Sequence, residues 1–380
     1  MSPSGIATVA RQEFRLRIRA GRWRLLLAIW FGVLLLFTAL LRGALGGFTN
    51  EEVLDKGVVI YGGLMVFVLG LALLVVPALA AQSVNGDRER GTLATLQVTR
   101  LTAGDITLGK FAAAWVTALV FLALTLPLVA YAITQRGVPF GRTVVVTLVI
   151  ALLLGTVCAM SLALSALLSR TTTSGVLAYL VVFALTLGTL ITFGLVTALT
   201  TQEYTTSYTP RCATASELPP ELTDDERARL LAECSEAPQT FTSTRTRADR
   251  TWWLLAPNPF VILADAAPRL PPETAEQRRE REAAEQRGEF RQSARDIDPL
   301  GAISNAVRDL RRPPGDDNVG GGQVILSPDT EQERADREKR RPVWPYGLAF
   351  DVALAGAALF VTSRRLRTPS RKLGKGQRVA

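Results

Sequence analysis

Apolar residues in this chain gather into six long blocks, at about 25–41, 58–81, 108–133, 143–168, 175–199 and 343–362. Each is near or above the roughly 20 residues that a helix needs to cross a ~30 Å hydrocarbon layer. A helix satisfies its backbone hydrogen bonds internally, so it is the element such blocks form in lipid. The pattern predicts an all-α membrane protein with six transmembrane helices. Residues 1–24 carry a different period. Ile6, Ala10, Phe14 and Ile18 recur four apart beside a stripe of Arg11, Arg15, Arg19 and Arg22. This fits an N-terminal amphipathic helix lying in the membrane interface with its basic side toward lipid headgroups. Trp23 marks the depth at which it meets the first crossing. A basic tail that only fixes orientation is the plainer alternative.

The polar segment between the second and third blocks, 82–107, organises the reading. It is too long for a simple turn. Asn85 or Asp87 is placed to cap a short helix, and Leu93 and Leu96 fall three apart on one face of it. Arg88, Glu89 and Arg90 lie near its start, and Thr102 to Asp105 break it before the next block. A short amphipathic helix held between two membrane helices is a docking element for a soluble partner; a solvated loop whose arginines set orientation is the other reading. Pro77 precedes this segment and Pro127 interrupts the third block, so both helices are expected to bend. Gly155, Ser161, Ser165, Gly188 and Gly194 suit close helix packing.

Residues 200–342 form a large polar insertion, followed by the sixth crossing at 343–363 and a basic tail at 364–380. Within the insertion, 252–267 is apolar but too short to span, and Pro257-Asn258-Pro259 breaks it. That suggests a re-entrant or surface-lying hairpin; a small soluble core is the alternative. Residues 273–296 read as a solvated helix or as disordered in isolation, and 312–342 as flexible.

Composition narrows the chemistry. The chain has 380 residues, no histidine and three cysteines. The lack of histidine removes Ser-His-Asp and Cys-His catalysis and imidazole metal sites, and the cysteine spacing matches no zinc site. No catalytic or metal-ligating set is found. The formal net charge of +9 clusters beside the apolar blocks, so it reads as topology and headgroup contact, not as nucleic-acid binding. By the positive-inside rule both termini and the 82–107 segment are cytoplasmic and the 200–342 insertion is extracytoplasmic. In that compartment Cys212 and Cys234 are permitted to pair, and a bridge there would contribute about 3 kcal/mol. The abundance of arginine and alanine points to a GC-rich bacterial genome and hence a bacterial plasma membrane. Gly104 to Lys110 follows the phosphate-loop pattern G-x-x-x-x-G-K, but Phe111 stands where Ser or Thr is required and a membrane helix follows. The chain itself is therefore expected to bind no nucleotide. Asp351 lies inside the sixth crossing, where a charge costs about 2.5–3.5 kcal/mol; it is either paired structurally or part of a substrate path or a proton-linked step.

At residues 77–110 a family resemblance emerges. A proline near the end of the second crossing, Asp87-Arg88-Glu89-Arg90-Gly91-Thr92-Leu93, then Leu101-Thr102 and Leu108-Gly109-Lys110, resembles the membrane subunits of type 2 ABC exporters. The family pattern carries a spacer within E-R-x-x-G-T-L that this chain lacks. A first interfacial helix, six crossings and a hairpin before the last crossing also match that family's layout. The resemblance implies a coupling helix formed by Arg88, Glu89, Arg90, Gly91, Thr92, Leu93 and Leu96, docked on a separate ABC ATPase subunit that holds ATP-Mg. It implies pairing with a second permease chain, like or unlike, and export of a drug, lipid, glycan or peptide. The charged stretch 268–342 is larger than the family layout. The competing expectation is a non-transporting membrane scaffold or sensor acting through the insertion.

Overall fold

The structure is a computed structural model of the chain, describing residues 2–19, 21–47, 56–89, 91, 101–208, 223, 239–271, 275–287, 297–311 and 341–367. It contains six helices long and apolar enough to cross a membrane, as the hydropathy pattern predicts. A first helix, α1 (Pro3–Arg19), precedes them. The first span is α2 (Arg22–Gly47) and the second is α3 (Lys56–Ala80), which leads through a turn into the short α4 (Asn85–Glu89). Pro77 is accommodated inside α3, whose chain continues past it with Ala81 donating back to the Pro77 carbonyl.

The third span is divided. Helix α5 (Ala103–Ala123) ends just ahead of α6 (Leu126–Thr134), where Pro127 occupies the first turn. Proline has no N–H to donate and its ring crowds the preceding turn, so the break falls there. The fourth span is α7 (Phe140–Leu167). The fifth runs through α8 (Thr171–Phe183), a π-helical turn at Ala184–Gly188, and α9 (Thr189–Leu199). After α10 (Ala248–Thr251) and a 3₁₀ turn at Trp252–Leu255 come α11 (Pro259–Ala266), α12 (Ala275–Gln286) and α13 (Pro299–Asp309). The sixth span is α14 (Trp344–Arg365).

The chain separates into two compact units. The first comprises Met1–Leu190, Trp253–Arg308 and Arg341–Ala380, so the apolar segment around the Pro-Asn-Pro turn belongs with the membrane helices. Helices α3 and α7 form its centre: in their most apolar windows 56% and 61% of residues are buried, against 6% in the fifth span. Between helices in lipid the hydrophobic effect supplies little, and close packing supplies the attraction. Gly155 of α7 lies against the Trp115 ring of α5, whose Nε1–H donates to the Ala151 carbonyl at 2.8 Å. Phe121 receives Trp23 and Trp30 edge-on, with centroids 5.4 and 5.0 Å away.

The second unit comprises Ile191–Trp252 and Asp309–Arg340. It holds a two-stranded antiparallel sheet, β1 (Thr201–Tyr208) against β2 (Gln239–Thr246), paired from Thr201↔Thr246 to Tyr208↔Gln239. This departs from an all-helical expectation. Threonine recurs in both strands, with two tyrosines in β1 and a phenylalanine in β2, and β-branched and aromatic side chains favour the pleated backbone. Arg247 grips Asp249 through two hydrogen bonds of 2.8 Å, which hold that carboxyl below its ordinary range. Cys212 and Cys234 lie outside the described residues.

Helix α14 crosses the Pro-Asn-Pro turn at Gly347, where an added Cβ would sit 1.9 Å from the Ala256 carbonyl oxygen. Gly347→Ala should therefore lower the thermal midpoint of the detergent-purified protein by several degrees. Gly356→Ala on the same helix, where a Cβ meets nothing within 4 Å, should leave it unchanged or raise it.

Candidate functional site

The segment joining the second and third spans is mounted on the bundle by buried polar contacts. Helix α5 begins with a capping box. The Thr102 hydroxyl accepts from the Asp105 N–H, and the Asp105 carboxylate accepts from the Thr102 N–H at 3.0 Å. The T-x-x-D spacing is a helix start, so Thr102 to Asp105 open α5. Asp105 also accepts from the Ser2 N–H at 2.8 Å, which ties down the start of α1.

From there α1 and α5 run side by side in the same direction. Val9 packs so closely on Gly109 that a Cβ there would meet its Cβ at 2.6 Å. About two turns on, Arg17 donates to the Thr117 hydroxyl at 3.0 Å. Between these points lies Lys110, whose side chain is 0% exposed. Its Nζ donates to the Glu13 carboxylate of α1, the Asp87 carboxylate of α4, and the Ser83 carbonyl at 2.9 Å. An ammonium has three donors and no acceptor, so all three are used. Arg17 stands four residues after Glu13 and interacts with it, giving two positive and two negative groups in one cluster. Burial pulls the Arg17 guanidinium below its ordinary value and Glu13 pushes it back up. The lysine of the phosphate-loop-like sequence thus faces two carboxylates of its own chain.

The same segment reaches the turn between the fourth and fifth spans. The Ser165 hydroxyl accepts from the N–H groups of Val84 and Asn85, both at 3.1 Å. Arg88 donates to the Ala166 and Leu168 carbonyls, each at 3.2 Å, at the C-terminus of α7. Glu89 accepts from the hydroxyl and N–H of Thr171, the first residue of α8. A cation at a helix C-terminus and an anion at a helix N-terminus both complement the helix dipole. Below them Val84, Ile106, Leu162, Ala166 and Leu366 form a small apolar core. Of the residues singled out from sequence, Arg88 and Glu89 therefore contact their own chain. Gly91 is exposed with φ +71°, closing the segment's described part. Arg90, Thr92, Leu93 and Leu96 lie outside the described residues.

The opposite end of the bundle carries a second set of buried charges. Asp298 caps α13, accepting from the Gly301 N–H at 3.0 Å, and pairs with Arg142 of α7 at 2.6 Å. Asp265, at the end of α11, accepts from Arg308 Nε at 2.5 Å and the Ser304 hydroxyl at 3.0 Å through Oδ1. Its Oδ2 accepts from the N–H groups of Val343 and Trp344 at the start of α14. One carboxylate thus joins α11, α13 and α14. Asn258 caps α11 and donates to the Thr186 carbonyl at 2.8 Å and the Thr189 hydroxyl at 2.9 Å, at the π turn of the fifth span. Asp351 lies one turn beyond Gly347 on the buried face of α14, 1% exposed, with Oδ1 lacking a hydrogen-bond partner. Among the described residues no group of three or more His, Cys, Asp or Glu is placed to hold a metal.

Sequence reading did not single out Glu13, Arg142, Asp265, Asp298 or Arg308 as site residues. Asp298-Pro299 is a cap-then-proline helix start, and Ser304 and Arg308 are four apart. Those signals locate α13 but not its partners. No known family's sequence model matches the chain, and no characterised protein matches it at a significant level.

Removing one partner of a buried ion pair strands the other, at a cost of about 3–5 kcal/mol. Lys110→Ala should lose stability on that scale in a denaturant titration of purified protein. The combined Glu13→Gln, Asp87→Asn, Lys110→Met variant should recover most of the loss, because no charge is left unpaired.

Proposed function

We propose that this chain is the permease subunit of an ATP-binding-cassette exporter, driven by a separate ATPase subunit that binds ATP-Mg. The observation that carries this reading is the mounting of the segment after α3. It is fixed at once to α1, α5, α7 and α8 through Lys110, Ser165, Arg88 and Glu89. A loop serving only as a connector has no need of such anchoring, whereas a lever must move its helices when pushed. The leucine-bearing stretch just beyond, Leu93 and Leu96, is the docking surface in this proposal. Burial of Lys110 against two acids supports the assignment of nucleotide binding to another chain. The first and fifth spans, with 17% and 6% of their apolar windows buried, offer faces to lipid and to a second permease chain. ATP-driven closure of the ATPases would push the docking segment and re-orient the helices between two access states. We assign the chain to a bacterial plasma membrane, with both termini and the docking segment cytoplasmic.

A scaffold or sensor acting through the second compact unit, which holds the strand pair, is the competing reading. The two divide cleanly on one experiment. The chain is pulled down from its native membrane in mild detergent and the eluate assayed for ATPase activity. The exporter reading expects a co-purifying ATPase that is lost in Leu93→Glu/Leu96→Glu. Absence of ATPase from the wild-type eluate, under conditions that keep other transporters assembled, would move the assignment to the scaffold.

A further inference from the structure

Helix α1 has two unlike faces. Gly5, Val9, Glu13 and Arg17 form the stripe turned to α5, through close packing at Val9, the Glu13–Lys110 pair and the Arg17–Thr117 hydrogen bond. The outward face carries Arg11, Arg15 and Arg19, all exposed and spaced four apart. None of the three pairs with an acid among the described residues, and Glu13, the one acid on α1, is spent on Lys110. With Ser4, Thr8 and Leu16 the arginines line a groove of about 570 Å³ along the helix. Leu16 and Ile18 beside it are 63% and 47% exposed.

We propose that this groove is a binding site for anionic phospholipid headgroups. Three guanidiniums with no acid on their face complement phosphate. The apolar neighbours decide the source of that phosphate. Leu16 and Ile18 sit just before α2, whose Leu25 and Ile29 are also 63% and 57% exposed, so the groove meets the level at which headgroups give way to acyl chains. A soluble phosphate has no use for that flank. Each basic side chain at an anionic surface contributes roughly fivefold in affinity, so the three together give a preference on the order of 100-fold. The site is independent of the exporter reading, since it needs only that the chain resides in a bilayer.

The test uses the full chain purified in mild detergent and offered an equimolar mixture of phosphatidylglycerol and phosphatidylcholine, with retained lipids identified by native mass spectrometry. The wild type should retain phosphatidylglycerol in clear excess. Arg11→Gln/Arg15→Gln/Arg19→Gln should fall toward parity, and Arg11→Lys/Arg15→Lys/Arg19→Lys should keep most of the preference. Equal retention of both lipids by the wild type would overturn the proposal, and that arm does not depend on any variant folding. Undiminished preference in the glutamine variant would overturn it as well. Complete displacement of phosphatidylglycerol by millimolar inorganic phosphate would reassign the groove to small anions.

Discussion

The burial of one lysine ammonium governs how this end of the molecule is assembled. The Lys110 side chain is fully buried, so its three N–H groups need acceptors within the protein. They find them on three different parts of the chain: α1, α4 and the turn before α4. Desolvating a charge is costly, and only good geometry offsets it. The cluster therefore fixes the register of α1 on α5 and the position of the segment after α3. The glycine opposite Val9 follows from the same demand, because only a side chain without Cβ lets α1 approach near enough for Glu13 to reach Lys110.

The other end of the bundle solves a similar problem with different parts. Asp265 collects the first N–H groups of α14 and the guanidinium of Arg308, while Asp298 caps α13 and meets Arg142. Buried ionic contacts thus cluster near the helix ends, and the middle of the bundle is apolar and closely packed. That division matters for a molecule proposed to change shape. Ionic contacts tolerate little displacement, so they carry force between elements as rigid joints. Apolar contacts between α3, α5 and α7 have no fixed direction, so helices can shift along them at lower cost. Asn258, bound to the π turn of the fifth span, is a neutral but directional joint placed at a helical irregularity.

The elements themselves were largely legible. Six apolar blocks became six helices, and the Pro127 bend appeared as a break between α5 and α6. Three features were not. Residues 253–308 read as part of one polar insertion, with 252–267 as an apolar hairpin inside it and 273–296 as a solvated, charged stretch. Yet α11 and α13 join the membrane helices because Asp265 accepts from the start of α14 and Asp298 pairs with Arg142 of α7, while Arg308 ties α13 to α11. Arg88 and Glu89 read as an exposed pair for a partner, and the helix ends they cap lie about 80 residues further along the chain. The strands β1 and β2 were hidden by their distance from each other: neither alternates apolar and polar residues, and pairing alone defines them.

What the sequence determined by itself was therefore local: span number and position, and the basic stripe of α1. Hydropathy, capping and periodicity act between residues a few positions apart, and these can be counted along the chain. What only the tertiary structure decided was which charges are hidden. Whether Lys110 faces solvent, a phosphate or Glu13 depends on a helix 97 residues earlier in the chain. Electrostatic pairing acts through space, and linear order carries no record of it.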